Sequence, residues 1–132
     1  MPASANLNRA VARSKVHVAL EARRLPKVAV KTLRQRLGLN RKQFARLTAA
    51  SERAVADWEN GRPISPVLQK SLRESDRLCQ ALMRIIKAAN VGDWLDAPNE
   101  AFFGLKPLDL IERGEVDRLW RMIFEVQSGA LT

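Results

Sequence analysis

Apolar residues recur at helical spacing along most of this chain. Val30, Leu33 and Leu37 form one such stripe, and Gly38 follows where a helix would end with a left-handed residue. Sustained alternation of apolar and polar positions, the pattern of a half-buried strand, is absent from the sequence. The pattern therefore predicts an all-α fold.

Two short helices with a brief connection follow this first stripe. Asn40 and Ser51 are residue types that cap helix N-termini, and they predict helices over residues 41–48 and 52–59. This layout is typical of a helix-turn-helix unit, in which the second helix enters the major groove of DNA. We refer to residues 41–59 as the helix pair.

The second half of the chain is also punctuated as helices. Ser65 before Pro66 predicts the start of a long helix, which we expect to run to about Ala89 and to be stopped by Gly92. A turn of helix is predicted from Pro107 to Ile111, and a final helix over residues 115–127. The C-terminal half has four aromatic residues, most of which are expected to lie in a small helical core: Trp94, Phe102, Trp120 and Phe124.

Charge is unevenly distributed over the 132 residues, which carry a net charge of +9. Twelve basic residues and one acidic residue give residues 1–46 a charge of +11, residues 47–70 are neutral, and residues 71–132 carry −2. A strongly basic region favours a polyanion such as nucleic acid. The uneven distribution suggests that the two ends of the chain have different partners.

The same composition argues against an enzyme or a metal site. The chain has a single His, His17, and a single Cys, Cys79, which lies on an apolar helical stripe and is expected to be a buried packing thiol. No nucleophile–base pair or set of metal ligands is evident, so we expect neither catalysis nor a cofactor. The sequence has no signal peptide and no membrane-spanning run, which favours the cytoplasm.

The helix pair and its surroundings resemble a known DNA-binding family. The stretch LRQRLGLNRKQFARLTAASERAVADWENG, residues 33–61, is similar to the Xre/Cro family. Ala49 stands where that family usually has Gly, so we expect the turn to be built differently. The resemblance implies base contacts by the second helix, phosphate contacts around it, and a dimer on an inverted repeat. The predicted DNA-binding residues are Asn40, Arg41, Lys42, Ser51, Glu52, Arg53, Ala56, Asp57, Asn60 and Arg62.

The C-terminal part of the chain, within the region that carries a net negative charge, resembles a second family. The ordered elements Trp94-Leu95, Pro98-Asn99, Gly104 and Pro107-Leu108-Asp109-Leu110-Ile111, followed by Gly114 and Gly129, are similar to the Xre/MbcA/ParS toxin-binding domain. Phe103 is bulkier than the family pattern. The resemblance implies an antitoxin that blocks the NAD-consuming site of a RES-domain toxin and represses its own operon on double-stranded operator DNA. The predicted toxin-binding residues are Phe103, Lys106, Gln127, Ser128, Gly129, Ala130, Leu131 and Thr132.

Together these observations predict three regions: a basic arm over residues 1–27, a DNA-binding region over 28–89, and a toxin-binding region over 90–132. We expect a homodimer within a larger toxin–antitoxin assembly, and we expect the terminal carboxylate to approach arginines in the NAD cleft. A transcriptional regulator whose C-terminal region only dimerises it is the main alternative. A nonspecific nucleic-acid-coating protein is another.

Overall fold

The computed structural model describes residues 27–129, and all regular secondary structure within that range is helical. This confirms the predicted all-α fold. The predicted basic arm lies almost entirely outside the described residues, as do Ala130, Leu131 and Thr132. No helix within the range is long and apolar enough to cross a membrane. The helices are α1 (Lys27–Arg36), α2 (Arg41–Thr48), α3 (Glu52–Glu59), α4 (Pro66–Leu82), α5 (Val91–Leu95), α6 (Pro107–Glu112) and α7 (Val116–Gln127), with 3₁₀ turns at Ala88–Asn90 and Glu100–Phe102.

Side-chain caps define the two helices of the helix pair, whose bounds match the prediction. The Asn40 side chain accepts a hydrogen bond from the Gln43 backbone N–H at 2.7 Å, and the Gln43 side chain accepts from the Asn40 N–H at 2.9 Å. The Ser51 hydroxyl accepts from the Ala54 N–H at 3.0 Å. These caps satisfy N–H groups that have no partner inside a helix, and therefore fix where α2 and α3 begin.

The turn between α2 and α3 corrects one prediction. Ala49 was expected to require a different turn, but it adopts the left-handed conformation itself, with φ of 58°. The N–H groups of Ala49 and Ala50 both donate to the Ala45 carbonyl, the latter at 2.9 Å. The usual turn geometry is therefore kept at a conformational cost of about 1 kcal/mol, because a Cβ atom crowds the following carbonyl.

The long helix α4 is shorter than predicted. It ends at Leu82, whereas the sequence predicted an end near Ala89. The N–H groups of Ile85 and Ile86 both donate to the Leu82 carbonyl, and Lys87 is extended. Ile85 and Ile86 lie in the turn after the helix and still pack against the core. The apolar pattern in the sequence therefore continues beyond the end of the helix.

The sequence suggested that Gly92 stops a helix, and this prediction is wrong. Gly92 lies buried within α5. Its N–H donates to the Leu37 carbonyl at 2.8 Å. A Cβ atom at this position would lie 2.4 Å from the Gly38 carbonyl oxygen. Gly92 therefore allows the backbone after α1 and the backbone of α5 to touch directly.

One hydrophobic core runs through both halves of the described chain. Phe44 and Val55 from the helix pair, and Leu108 and Ile123 from α6 and α7, belong to the same buried cluster. Cys79 is also buried there, as predicted. Burial raises the pKa of its thiol to about 12, with Asp76 adding to the effect, so it is an unreactive packing residue.

The four aromatic residues of the C-terminal half are not all core residues. Phe102 is buried and Trp94 is half-buried against the core. Trp120 and Phe124 are 37% and 70% exposed, so two of the four residues, rather than most of them, belong to the core. Both lie on the flank of α7, about 100° round the helix from its buried residues Leu119 and Ile123.

Candidate functional site

The predicted DNA-binding residues lie on the helix pair and the segments next to it. Ala56 and Asp57 are half-buried, and the rest are exposed. Arg53 is exposed in the first turn of α3 and has no hydrogen bond or ion pair within the described range. The exposed members of the predicted set are Asn40, Arg41, Lys42, Ser51, Glu52, Arg53, Asn60 and Arg62.

The buried carboxylate of Glu59 lies beneath the predicted DNA-binding surface and binds two arginines. Glu59, whose side chain is 2% exposed, accepts two hydrogen bonds from the guanidinium of Arg34, at 3.1 and 2.9 Å. It also accepts one from Arg41 at 3.4 Å. Arg34 donates further to the Leu39 carbonyl at 3.0 Å. The cluster ties α1 and the start of α2 to the end of α3.

The pKa of Glu59 reflects two opposed effects. Burial alone would raise the pKa, but the hydrogen bonds and positive charges of Arg34 and Arg41 outweigh it and hold the pKa below its usual range. The carboxylate therefore stays ionised and orients Arg41, a predicted phosphate contact. The sequence analysis included Arg34 and Glu59 in neither binding set, because only the fold brings them together across 25 positions.

Charges on the outer face of α3 are mixed. Asp57 lies 3.8 Å from the guanidinium of Arg62, so each charge partly offsets the other. Glu52 is exposed beside Arg53. Positive charge is therefore concentrated around this face, at residues such as Lys42, rather than along it.

Arg46 of α2 joins the helix pair to the C-terminal half. Its guanidinium forms ion pairs with Asp109 at 2.9 Å, with Asp96 at 3.6 Å and with Glu112. Burial would lower the pKa of Arg46, but hydrogen bonds from it to Glu112 and Asp109 raise it overall. We call Arg46, Asp96, Asp109 and Glu112 the Arg46 cluster. The sequence analysis did not predict it, because its members are far apart in the chain.

Lys106 is held beside the Arg46 cluster. Its ammonium lies 3.2 Å from Asp96, and its backbone N–H donates to the Asp109 carboxylate at 3.0 Å. Gln43 donates to Asp96 at 2.9 Å, and this bond is the main reason that the pKa of Asp96 is lowered. The pKa of Asp109 is lowered mainly by the Lys106 backbone hydrogen bond. Lys106, a predicted toxin contact, is thus already paired.

Phe103 is the most exposed large apolar residue in the described range, at 91%. It has a left-handed backbone, with φ of 56°, in a turn that begins at Asn99. The Gly104 N–H donates to the Asn99 carbonyl at 2.9 Å, and the Phe103 N–H donates to that of Glu100 at 3.1 Å. The turn therefore presents an aromatic ring to solvent from a hydrogen-bonded base.

The last described members of the predicted toxin-binding set lie at the end of α7 and directly after it. Gln127, Ser128 and Gly129 are exposed, and Gly129 has a left-handed backbone, with φ of 75°. Leu119 and Ile123 are buried and hold α7 in place. Within residues 27–129, no hydrogen bond or ion pair connects Phe103 or Lys106 to this end of α7.

A groove lies between α4 and α7, beside the core residues Leu119 and Ile123 of α7. It has a volume of about 480 Å³ and is lined by apolar residues of α2, α4, α6 and α7. Val116 and Trp120 form its α7 wall. No group of acidic, His or Cys residues in the described part of the chain is placed to hold a metal ion.

These features define an all-α protein in which a capped helix pair and a second helical region share one core. No protein-family profile matches the chain. The mycobacterial cidal antitoxins MbcA of Mycobacterium bovis and Mycobacterium tuberculosis are each 30% identical to it over 96 residues, which is 72% of this chain and 85% of theirs. The crystal structure of the M. tuberculosis MbcT–MbcA toxin–antitoxin complex contains a similar chain, with a TM-score of 0.63 and 26% identity, over 80% of this chain and 96% of that one. The chain belongs to the MbcA antitoxin family.

Proposed function

We propose that this chain is the antitoxin of a type II toxin–antitoxin system. In this proposal it binds a RES-domain toxin, blocks the toxin's NAD-consuming site, and represses its own operon through the helix pair. The observation that carries the proposal is the similarity to MbcA over most of both chains, together with the fold shared with a chain of a toxin–antitoxin complex.

Toxin inhibition is assigned to the end of α7. A dinucleotide cleft is narrow, so a segment that blocks it must be thin and must project from a fixed base. Leu119 and Ile123 supply that base, and Gly129 allows the segment after it to leave the helix direction. We call residues 128–132 the tail, and we propose that it enters or covers the NAD cleft.

Ending the chain at Gln127 should restore NAD consumption when antitoxin and toxin are combined. Ser128 and Gly129, the described residues of the tail, are exposed, so the truncated chain should keep its fold by circular dichroism. NAD consumption by the purified pair, at fixed toxin and increasing antitoxin, measures the effect. If the truncated chain inhibits as fully as the complete one, inhibition must instead depend on the surface around Phe103 and Lys106.

DNA binding is assigned to the helix pair because its caps, turn and exposed first turn of α3 match what major-groove reading requires. Arg53 is exposed and unpaired within the described range, and is therefore available for a bidentate contact with guanine. Arg41 is oriented by Glu59 and is suited to a phosphate.

Arg53→Ala should lower affinity for the operator by about 1–3 kcal/mol and relax base preference at one position. Arg41→Ala should weaken binding to all sequences alike and reduce the salt dependence. Arg84→Ala, an exposed arginine after α4, is the matched control and should leave binding unchanged. Fluorescence anisotropy with the promoter of the chain's own operon and a scrambled duplex, at several salt concentrations, separates these results.

Equal affinity of the wild-type chain for both duplexes would favour a nonspecific nucleic-acid-coating protein. An unchanged footprint with Arg53→Ala would show that α3 does not read bases through this face.

A further inference from the structure

The side chain of Gln43 connects the helix pair to the C-terminal part of the chain. Its amide oxygen accepts a hydrogen bond from the Asn40 N–H at 2.9 Å, which is one half of the cap at the start of α2. Its amide nitrogen donates to Oδ2 of Asp96 at 2.9 Å. Asp96 directly follows α5 and lies 53 positions further along the chain. The Gln43 amide is therefore held on both sides, by the cap and by Asp96.

The other oxygen of the Asp96 carboxylate is held by two cations. Oδ1 accepts from the Lys106 ammonium at 3.2 Å and lies 3.6 Å from the Arg46 guanidinium. The two oxygens of Asp96 thus have separate partners, the cations on one side and Gln43 on the other. The cations fix the carboxylate in place and offset part of the negative charge that it places beside the start of α2.

A carboxylate bonded to Gln43 strengthens the cap of α2 in two ways. Its negative charge polarises the Gln43 amide, so that the amide oxygen becomes a stronger acceptor for the Asn40 N–H. A negative charge near a helix N-terminus also interacts favourably with the partial positive charge there. The first turn of α2 contains no acidic residue of its own. Asp96 therefore supplies from the C-terminal part of the chain a charge that the sequence of α2 lacks.

We propose that Asp96 is a positioning residue for DNA binding, and that it acts through Gln43 on the first turn of α2. Asn40 and Arg41, two of the predicted DNA-binding residues, lie at this end of the helix. A chain whose first turn is frayed for part of the time binds DNA more weakly by the same fraction. The inference rests on the proposed DNA binding. It adds that a residue outside the helix pair, in the region assigned to the toxin, is required for that binding.

Asp96→Asn should lower affinity for the promoter duplex of the chain's own operon by roughly threefold to tenfold. Asparagine has one acceptor oxygen for two sides, so the bond to Gln43 or the bond to Lys106 is lost. Removing a negative charge near phosphates would by itself strengthen binding, so a fall in affinity has another cause. Fluorescence anisotropy of the full chain measures it. Asp93→Asn is the matched control and should not lower affinity, because Asp93 is exposed in α5 and has no hydrogen bond or ion pair with another described residue.

Exchanging the two groups separates positioning from ordinary capping. Glutamate is a normal capping residue at the Gln43 position, so Gln43→Glu would be harmless if the cap acted alone. Opposite Asp96 it sets two carboxylates against each other, and we expect affinity to fall at least as far as in Asp96→Asn. Gln43→Glu combined with Asp96→Asn should restore wild-type affinity. The asparagine amide then donates to the glutamate, its oxygen still accepts from Lys106, and the net charge is that of the wild-type chain.

Amide hydrogen exchange of the full chain without DNA tests the positioning directly. Exchange of the Asn40 N–H should be faster by roughly threefold or more in Asp96→Asn and return to the wild-type rate in the double variant. Unchanged exchange or unchanged affinity in Asp96→Asn would overturn this role of Asp96. So would a double variant that binds no better than the single ones. A wild-type chain that does not bind the promoter duplex would overturn the proposed DNA binding as well, which distinguishes the two failures.

Discussion

Replacing Glu59 with Gln is expected to lower the free energy of unfolding by about 3 kcal/mol. The Glu59 carboxylate is almost fully buried and accepts three hydrogen bonds from Arg34 and Arg41. A neutral amide offers one acceptor oxygen in place of two charged ones, and leaves Arg34, 13% exposed, without a counter-charge. Urea unfolding followed by circular dichroism gives the difference.

The same substitution should change the pH dependence of stability. The folded-state pKa of Glu59 is lowered, so its contribution is complete above the unfolded-state pKa, near 4.3, and is lost as pH falls through the folded value. The wild-type chain should therefore lose stability below about pH 4, and Glu59→Gln should lose less over that range. Asp96 and Asp109 have lowered pKa values too, so part of the acid dependence should remain.

Glu112→Gln is the matched control for Glu59→Gln. Glu112 also pairs with an arginine, Arg46, but its side chain is 48% exposed. Water screens such a pair, and its loss should cost less than about 1 kcal/mol. Equal losses from the two substitutions would contradict the assignment of Glu59 as a buried anchor.

Gly92→Ala is expected to destabilise the fold by about 3 kcal/mol, because the added methyl group meets backbone rather than a flexible side chain. The nearest atoms to the new Cβ would be the Gly38 carbonyl oxygen at 2.4 Å and its carbon at 2.8 Å, followed by the Leu37 carbonyl oxygen at 3.0 Å. To relieve these contacts, α5 must move away from α1, which would lengthen the hydrogen bond from Gly92 to Leu37. The melting temperature by differential scanning calorimetry measures the loss.

Gly114→Ala separates this clash from ordinary backbone strain. Gly114 has φ of 78°, and nothing lies within 4 Å of a Cβ built on it, so only conformational strain of about 1 kcal/mol is expected. If Gly92→Ala cost no more than Gly114→Ala, the contact between α1 and α5 would be looser than the structure indicates.

Local signals in the sequence were sufficient to predict where many of the helices begin. Asn40 and Ser51 identified the starts of α2 and α3, because a cap acts within three residues of itself. The end of α4 could not be found this way. Ile85 and Ile86 continue the apolar spacing, and only their packing from a turn shows that the helix has ended.

The exposed residues and ion pairs of the candidate surfaces were harder to predict from the sequence. Trp120 and Phe124 have the spacing of core residues, and the side of α7 that the core covers is fixed by α4 and α6 rather than by α7 itself. Ion pairs between distant residues, such as Arg34 with Glu59, leave no periodic signal. The resemblance to known families predicted two binding regions, but not the interactions that hold their residues in place.

The Arg46 cluster has a consequence for exchanging parts between antitoxins. Three carboxylates from the segment after α4 surround one guanidinium from α2, so the two regions carry matched charges at their junction. A chimaera that joined this helix pair to the C-terminal region of another antitoxin would need acidic residues at the same three places. Without them, the transplanted halves would meet at a partly exposed junction where the Arg46 guanidinium has no counter-charge, so an exchange of the C-terminal region calls for redesign of that junction as well.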